Sequence, residues 1–119
     1  MQAVSWNCRG LGSISKVDLV KDLLKIVLAD LLLLQETKNE EEDLLLLTKS
    51  KWTLKNGKDV SARGTSGGLA TLWSEDKLKL NCWHITQHWI YIEFFHISSN
   101  ISVSLFNLYV PVNFMEKKC

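Results

Sequence analysis

The sequence predicts an α/β domain, α+β in the arrangement of its halves, that opens with a βαβ unit and continues as antiparallel strands. Three observations predict it. Residues 2–7 alternate apolar and polar side chains, and residues 30–36 form an almost unbroken leucine run. Between them lies a segment whose apolar residues recur at helical spacing. Beyond residue 50 the period shortens to two, in segments rich in aromatic and β-branched residues.

In order, Val4 and Trp6 alternate with Ser5 and Asn7, which reads as a strand. It stops at Cys8-Arg9-Gly10-Leu11-Gly12, where two glycines permit a sharp turn. Ser13 or Ser15 can cap a helix over residues 16–28, with Leu19, Val20, Leu23, Leu24, Val27 and Leu28 as its apolar positions. The leucine run reads as a strand buried on both faces, parallel to the first. A second helix fits residues 39–49, with an Asn cap and three glutamates whose charge suits the positive helix end. Residues 51–55 fit a strand, and Asn56-Gly57 reads as a turn. Strands follow at 67–73, 78–83, 89–95 and 101–110, with turns near 75–76, 86–87 and 98–100.

Composition bounds the class. With 119 residues, 46% hydrophobic and a net charge of +1, the chain suits one globular domain and not a disordered tail or a basic coat. Cys8, Cys82 and Cys119 form no C-x-x-C pair, which argues for reduced thiols and against a disulfide frame or zinc knuckle. The N-terminus lacks the pattern of a signal peptide. The apolar stretch 23–34 is broken by Lys25 and Asp30 and is too short to span a bilayer. The expected location is nucleus or cytoplasm, with no membrane partner. A basic stretch from Lys49 to Arg63 is either a phosphate contact or a solvated face.

Candidate chemistry collects at strand ends. Asn7 ends the first strand and Glu36 the second, where open α/β sheets bind ligands. Glu36 suits a hard cation, and Asn7 could orient a substrate oxygen; alternatively, one begins a surface loop and the other caps a turn. Asn107 and Tyr109 share one face of the last strand, and the Tyr109 hydroxyl either meets phosphate or is structural. Ser66-Gly67-Gly68 offers backbone donors to an anion or glycines for close strand packing. His84, His88 and His96 fit no zinc or nucleophile pattern.

Taken together, Ser5-Trp6-Asn7-Cys8-Arg9-Gly10-Leu11-Gly12, Leu33-Leu34-Gln35-Glu36-Thr37-Lys38, Ser66-Gly67-Gly68-Leu69 and Asn107-Leu108-Tyr109-Val110-Pro111 resemble the endonuclease/exonuclease/phosphatase family. The likeness is nearest to the endonuclease domain of plant LINE-type (non-LTR) retrotransposons. It implies a partial four-layer α/β sandwich, two sheets face to face with helices outside. It also implies magnesium-dependent phosphodiester hydrolysis, with manganese as a substitute and DNA as the partner. By resemblance, Glu36 matches the metal-binding glutamate, Asn7 the asparagine beside it, which shares the metal site, and Tyr109 the tyrosine near the scissile phosphate. Arg9, Arg63, Ser66 and Asn107 are then expected to contact nucleic acid.

The family pattern continues past Asn-x-Tyr-x-Pro with an Asp-x-Asn motif and a Ser-Asp-His motif. In this sequence the last Asp is Asp76 and the last His is His96. Residues 1–119 therefore resemble the N-terminal part of such a domain, expected to be inactive alone and to need a complementing C-terminal half. Alternatives are a non-catalytic nucleic-acid-binding module and a non-functional gene fragment.

Overall fold

A computed structural model of the chain describes residues 1–11, 14–38, 52–54, 56–62 and 67–109. Two sheets lie face to face, with a helix on the outer side of the first. Sheet one is four-stranded, in the order β1-β2-β4-β3, from β1 (Ala3–Asn7), β2 (Leu31–Gln35), β3 (Asn56–Val60) and β4 (Leu69–Trp73). Sheet two is three-stranded, from β5 (Leu78–Ile85), β6 (Trp89–His96) and β7 (Ile101–Leu108) in sequence order. The helix, α1 (Ile14–Val27), joins β1 to β2.

The βαβ start is present as expected. β1 runs parallel to β2, with Ala3 opposite Leu31 and Asn7 opposite Gln35. Every other pairing is antiparallel. The leucine run is apolar throughout because sheet one is covered on both faces. Leu32 and Leu34 turn toward α1 and meet Val17, Val20 and Leu24, with Ala70 and Leu72 of β4. Leu31 and Leu33 turn the other way, toward Ile90, Ile92 and Phe94 of sheet two. All five residues of β4 are buried for the same reason. Between the sheets, the Trp73 and Phe94 rings meet edge to face with centroids 5.0 Å apart.

Helix α1 ends without glycine. Leu28 takes the left-handed conformation, φ +54°, and Ala29 N donates to Leu24 O at 3.3 Å, closing a Schellman-type end. This turns Leu28 out to solvent, and Leu19 is exposed as well. Both were expected on the apolar face. The buried face instead runs through Val17, Val20 and Leu24, because a 3.6-residue period rotates Leu19 away from it. Ser15 lies inside α1 and Ser13 outside the described residues.

The region before β4 departs from expectation. Trp52 and Leu54 are not in a strand; both are buried against the α1 side of sheet one, and Trp52 Nε1 donates to Val17 O at 2.9 Å. The strand comes later, and Asn56-Gly57, expected as a turn, pairs with Trp73 and Leu72. Burying a tryptophan and a leucine outweighs the weak local preference of an Asn-Gly pair for a turn. The helix expected over 39–49 falls outside the described residues.

β7 lies against β2 and β4, and β6 against β4 and β3. Among the described residues β1 and β7 each have one unpaired edge, and these two edges fall on one side of the sandwich. Phe106 and Leu108 of β7 are more than half exposed, and Phe106 gathers Tyr91 and Trp89 on the outer face of sheet two. Among the described residues no helix is long and apolar enough to cross a membrane.

Candidate active site

The carboxyl ends of β1 and β2 carry Asn7 and, one residue beyond β2, Glu36. Parallel pairing puts these ends side by side. The pairing then continues past the strands: Cys8 N donates to Gln35 O (3.0 Å), Gly10 N to Glu36 O (2.7 Å) and Leu11 N to Thr37 O (2.9 Å). The segment after β2 is also tied to the loop before β4, through Thr37 N to Gly68 O (3.2 Å) and Lys38 N to Gly67 O (3.0 Å). Residues 36–38 are thus held on both sides.

That double constraint overrides backbone preference. Arg9, Glu36 and Lys38 all adopt left-handed φ, near +50°, although none is glycine. Such conformations persist where surrounding structure enforces them, and they cluster at functional sites. Glu36 is half-buried, whereas Asn7 and Arg9 are exposed. Asn7 Oδ1 accepts from Arg9 N at 3.3 Å. Beneath the turn, the Cys8 thiol is buried and donates to Gln35 O at 3.2 Å. Burial pushes its pKa up, which keeps it a neutral donor.

Gly68 explains why glycine stands beside this segment. A Cβ there would lie within van der Waals overlap of Thr37 Oγ1 and 3.1 Å from Lys38 N, and its φ of +90° suits glycine alone. Tyr109 arrives from β7. Its backbone N donates to His88 O at 2.8 Å, and its half-buried ring packs 3.7 Å from the position a Gly67 side chain would take. Asn7, Glu36 and Tyr109 thereby share one end of the sandwich.

Asn107 is placed otherwise than expected. The resemblance implies a nucleic-acid contact for it, yet it is 1% exposed and its amide is engaged inside the protein. Nδ2 donates to Ala70 O (3.0 Å), Leu34 O (3.2 Å) and Thr71 Oγ1 (3.2 Å). Oδ1 accepts from Gln35 Nε2 at 2.8 Å. A buried amide with these partners bolts β7 to sheet one. A polar residue in the middle of an apolar strand face was the available signal for that role. Arg63 and Ser66 lie outside the described residues.

A sequence profile described as the endonuclease/exonuclease/phosphatase family matches residues 4–110. The chain belongs to this family. Among solved structures, an AP endonuclease from Leishmania major superimposes with a TM-score of 0.64 at 15% identity, covering 90% of this chain and 39% of that one. The catalytic domain of Xenopus laevis APE2 gives 0.64 at 19%, covering 93% and 45%. A 3′ phosphatase from Neisseria bound to a product DNA hairpin gives 0.63 at 19%, covering 97% and 46%. This endonuclease/exonuclease/phosphatase chain thus spans less than half the length of each of these structures. No curated protein sequence matches it.

Members of the endonuclease/exonuclease/phosphatase family are typically metal-dependent. The donors at the strand ends are of the right kind, one carboxylate and one amide oxygen, both hard. Magnesium is commonly bound by one or two carboxylates, with water and phosphate oxygens completing its shell. Among the described residues no three His, Cys, Asp or Glu side chains cluster into a cage of their own. Glu36 and Asn7 would therefore supply two of the oxygens around magnesium or manganese, with water and phosphate oxygens completing the shell.

Proposed function

We propose that these residues are the N-terminal part of a magnesium-dependent DNA phosphodiesterase of retroelement descent, acting in the nucleus or cytoplasm. The observation that carries the reading is the juxtaposition of Asn7 and Glu36 at the carboxyl ends of parallel β1 and β2, with Tyr109 at the same end. A divalent ion bound there would offset phosphate charge and polarise phosphorus. Glu36 would hold the ion, Asn7 would share it and orient a phosphate oxygen, and Tyr109 would donate to the phosphate. Exposed Arg9 supports a DNA contact beside them. The Trp6-Asn7-Cys8-Arg9-Gly10-Leu11-Gly12 segment supports a LINE-type origin.

By themselves residues 1–119 are proposed to cut DNA poorly, since they carry neither the Asp-x-Asn nor the Ser-Asp-His motif that the family pattern uses to activate water and to stabilise the phosphate. A complementing C-terminal half is the proposed partner. Among the described residues the unpaired edges of β1 and β7 lie on one side, and Phe106 and Leu108 of β7 are exposed, which supports a covering segment there.

Nicking of supercoiled plasmid with magnesium tests both parts. The chain alone should nick weakly, and addition of a segment carrying Asp-x-Asn and Ser-Asp-His should raise the rate in a Glu36-dependent way. Robust nicking by the chain alone, abolished by Glu36→Gln, would overturn the need for a second half. Reconstituted nicking that ignores Glu36→Gln would overturn the metal reading.

A further inference from the structure

Beneath the β1–α1 turn, Lys16 Nζ donates to three successive carbonyl oxygens, Cys8 O at 3.1 Å, Arg9 O at 3.3 Å and Gly10 O at 2.9 Å. Carbonyls of consecutive residues do not ordinarily converge on one point. Here the left-handed φ of Arg9 (+49°) and the φ of Gly10 (+98°) turn them inward. Three converging carbonyl dipoles repel one another unless a cation sits among them, and the ammonium from the first turns of α1 supplies it.

The amides of the same turn face the other way. Cys8 N, Gly10 N and Leu11 N donate to Gln35 O, Glu36 O and Thr37 O. One ammonium therefore fixes a turn whose opposite side fixes the backbone of Glu36, itself at φ +53°, while Arg9 N holds Asn7 Oδ1. We propose that Lys16 is a positioning residue: its ammonium, seated in the carbonyl cradle of residues 8–10, sets Asn7 and Glu36 for a divalent cation. The inference rests on the metal reading above.

Charge and position predict opposite signs. Lys16 is a cation near the proposed site, so removing it should tighten cation binding if electrostatics alone mattered. If Lys16 positions the ligands, removal should weaken binding, and loss of an outer partner of a metal ligand commonly costs about 10-fold to 100-fold in affinity. The experiment titrates the full chain with manganese, read by water-proton relaxation, for wild type, Lys16→Met, Glu36→Gln and Ile92→Val, the last a destabilised control in the core between the sheets, apart from the cluster that holds Cys8 and Leu11. Amide hydrogen exchange at Gly10 and Leu11 is followed in the same proteins without metal.

The expected result is about 10-fold weaker manganese binding in Lys16→Met, with faster exchange at Gly10 and Leu11. Ile92→Val should leave both readouts near wild type. Unchanged or tighter binding in Lys16→Met overturns the proposal, as does unchanged exchange at those two amides. If wild type binds manganese no better than Glu36→Gln, the metal reading fails, and with it the role proposed for Lys16; faster exchange would then show only that the ammonium holds the turn.

Discussion

Gln35 Nε2 donates to Asn107 Oδ1 at 2.8 Å, linking the last residue of β2 to the far end of β7 across the two sheets. The same Gln35 nitrogen reaches Ser5 Oγ of β1 at 3.2 Å. One side chain thus joins β1, β2 and β7 immediately before Glu36. The ends of the three strands that carry the candidate active site are fastened to one another and not merely adjacent.

Breaking that link should be costly. Asn107→Leu removes the buried amide that Gln35 Nε2, Leu34 O and Ala70 O share, and a buried polar group left unsatisfied costs about 1–3 kcal/mol. A loss of about 2–3 kcal/mol is expected in urea unfolding. A Gln35/Asn107 double-mutant cycle should show a coupling of about 1 kcal/mol. A loss under 0.5 kcal/mol would show that the amide network is not what holds the sheets together.

Gly68→Ala should destabilise the protein more than an ordinary loop substitution. The added methyl meets Thr37 Oγ1 and the Lys38 backbone, and φ of +90° is costly for alanine. Strain of this kind costs about 1–3 kcal/mol before any clash is counted. Thermal melts should show a lower midpoint for Gly68→Ala, with a smaller effect for Gly67→Ala, whose Cβ would have 3.7 Å to the Tyr109 ring. Equal effects at the two glycines would mean that backbone conformation, not contact with Thr37, decides.

At the end of α1 the opposite sign is expected. Leu28 sits at φ +54° with 76% of its surface exposed, so glycine there removes left-handed strain and an apolar surface residue together. Leu28→Gly should raise stability by about 1 kcal/mol in the same urea titration. No gain would mean that the greater freedom of glycine in the unfolded chain offsets the relieved strain.

Cys82 offers a test by chemical reactivity. Its exposed thiol donates to Glu93, and that hydrogen bond, followed by desolvation and the carboxylate charge, holds its pKa above the ordinary thiol value. Glu93 is held below the usual carboxylate range, first by Cys82 and then by Tyr91. In a Cys119→Ser background, iodoacetamide should label Cys82 slowly at pH 8, and Glu93→Gln should speed labelling. The sign for stability follows from Glu93: a depressed carboxyl stabilises above its unfolded-state pKa, and that contribution fades as pH falls through its lower native value. Labelling as fast as in Glu93→Gln would show the thiol is not held.

Much of this was legible in the chain. The βαβ start and the three strands of sheet two follow from local periodicity, and local periodicity survives folding when both strand faces, or one helix face, meet the core. Asn7 and Glu36 could be placed at strand ends by the same logic. Asn107 could not, because its role depends on which residues of sheet one lie opposite β7, a relation between segments far apart in sequence. Nor could β3, where burial of Trp52 and Leu54 against the helical side displaced a turn written in Asn56-Gly57.

The sequence alone therefore determined the order and type of most elements and the residues at their ends. Only the tertiary structure decided the left-handed backbone of Glu36, the Lys16 cradle and the bolt at Asn107. Each of these depends on converging hydrogen bonds from separate segments, and a one-dimensional pattern carries no record of which groups converge.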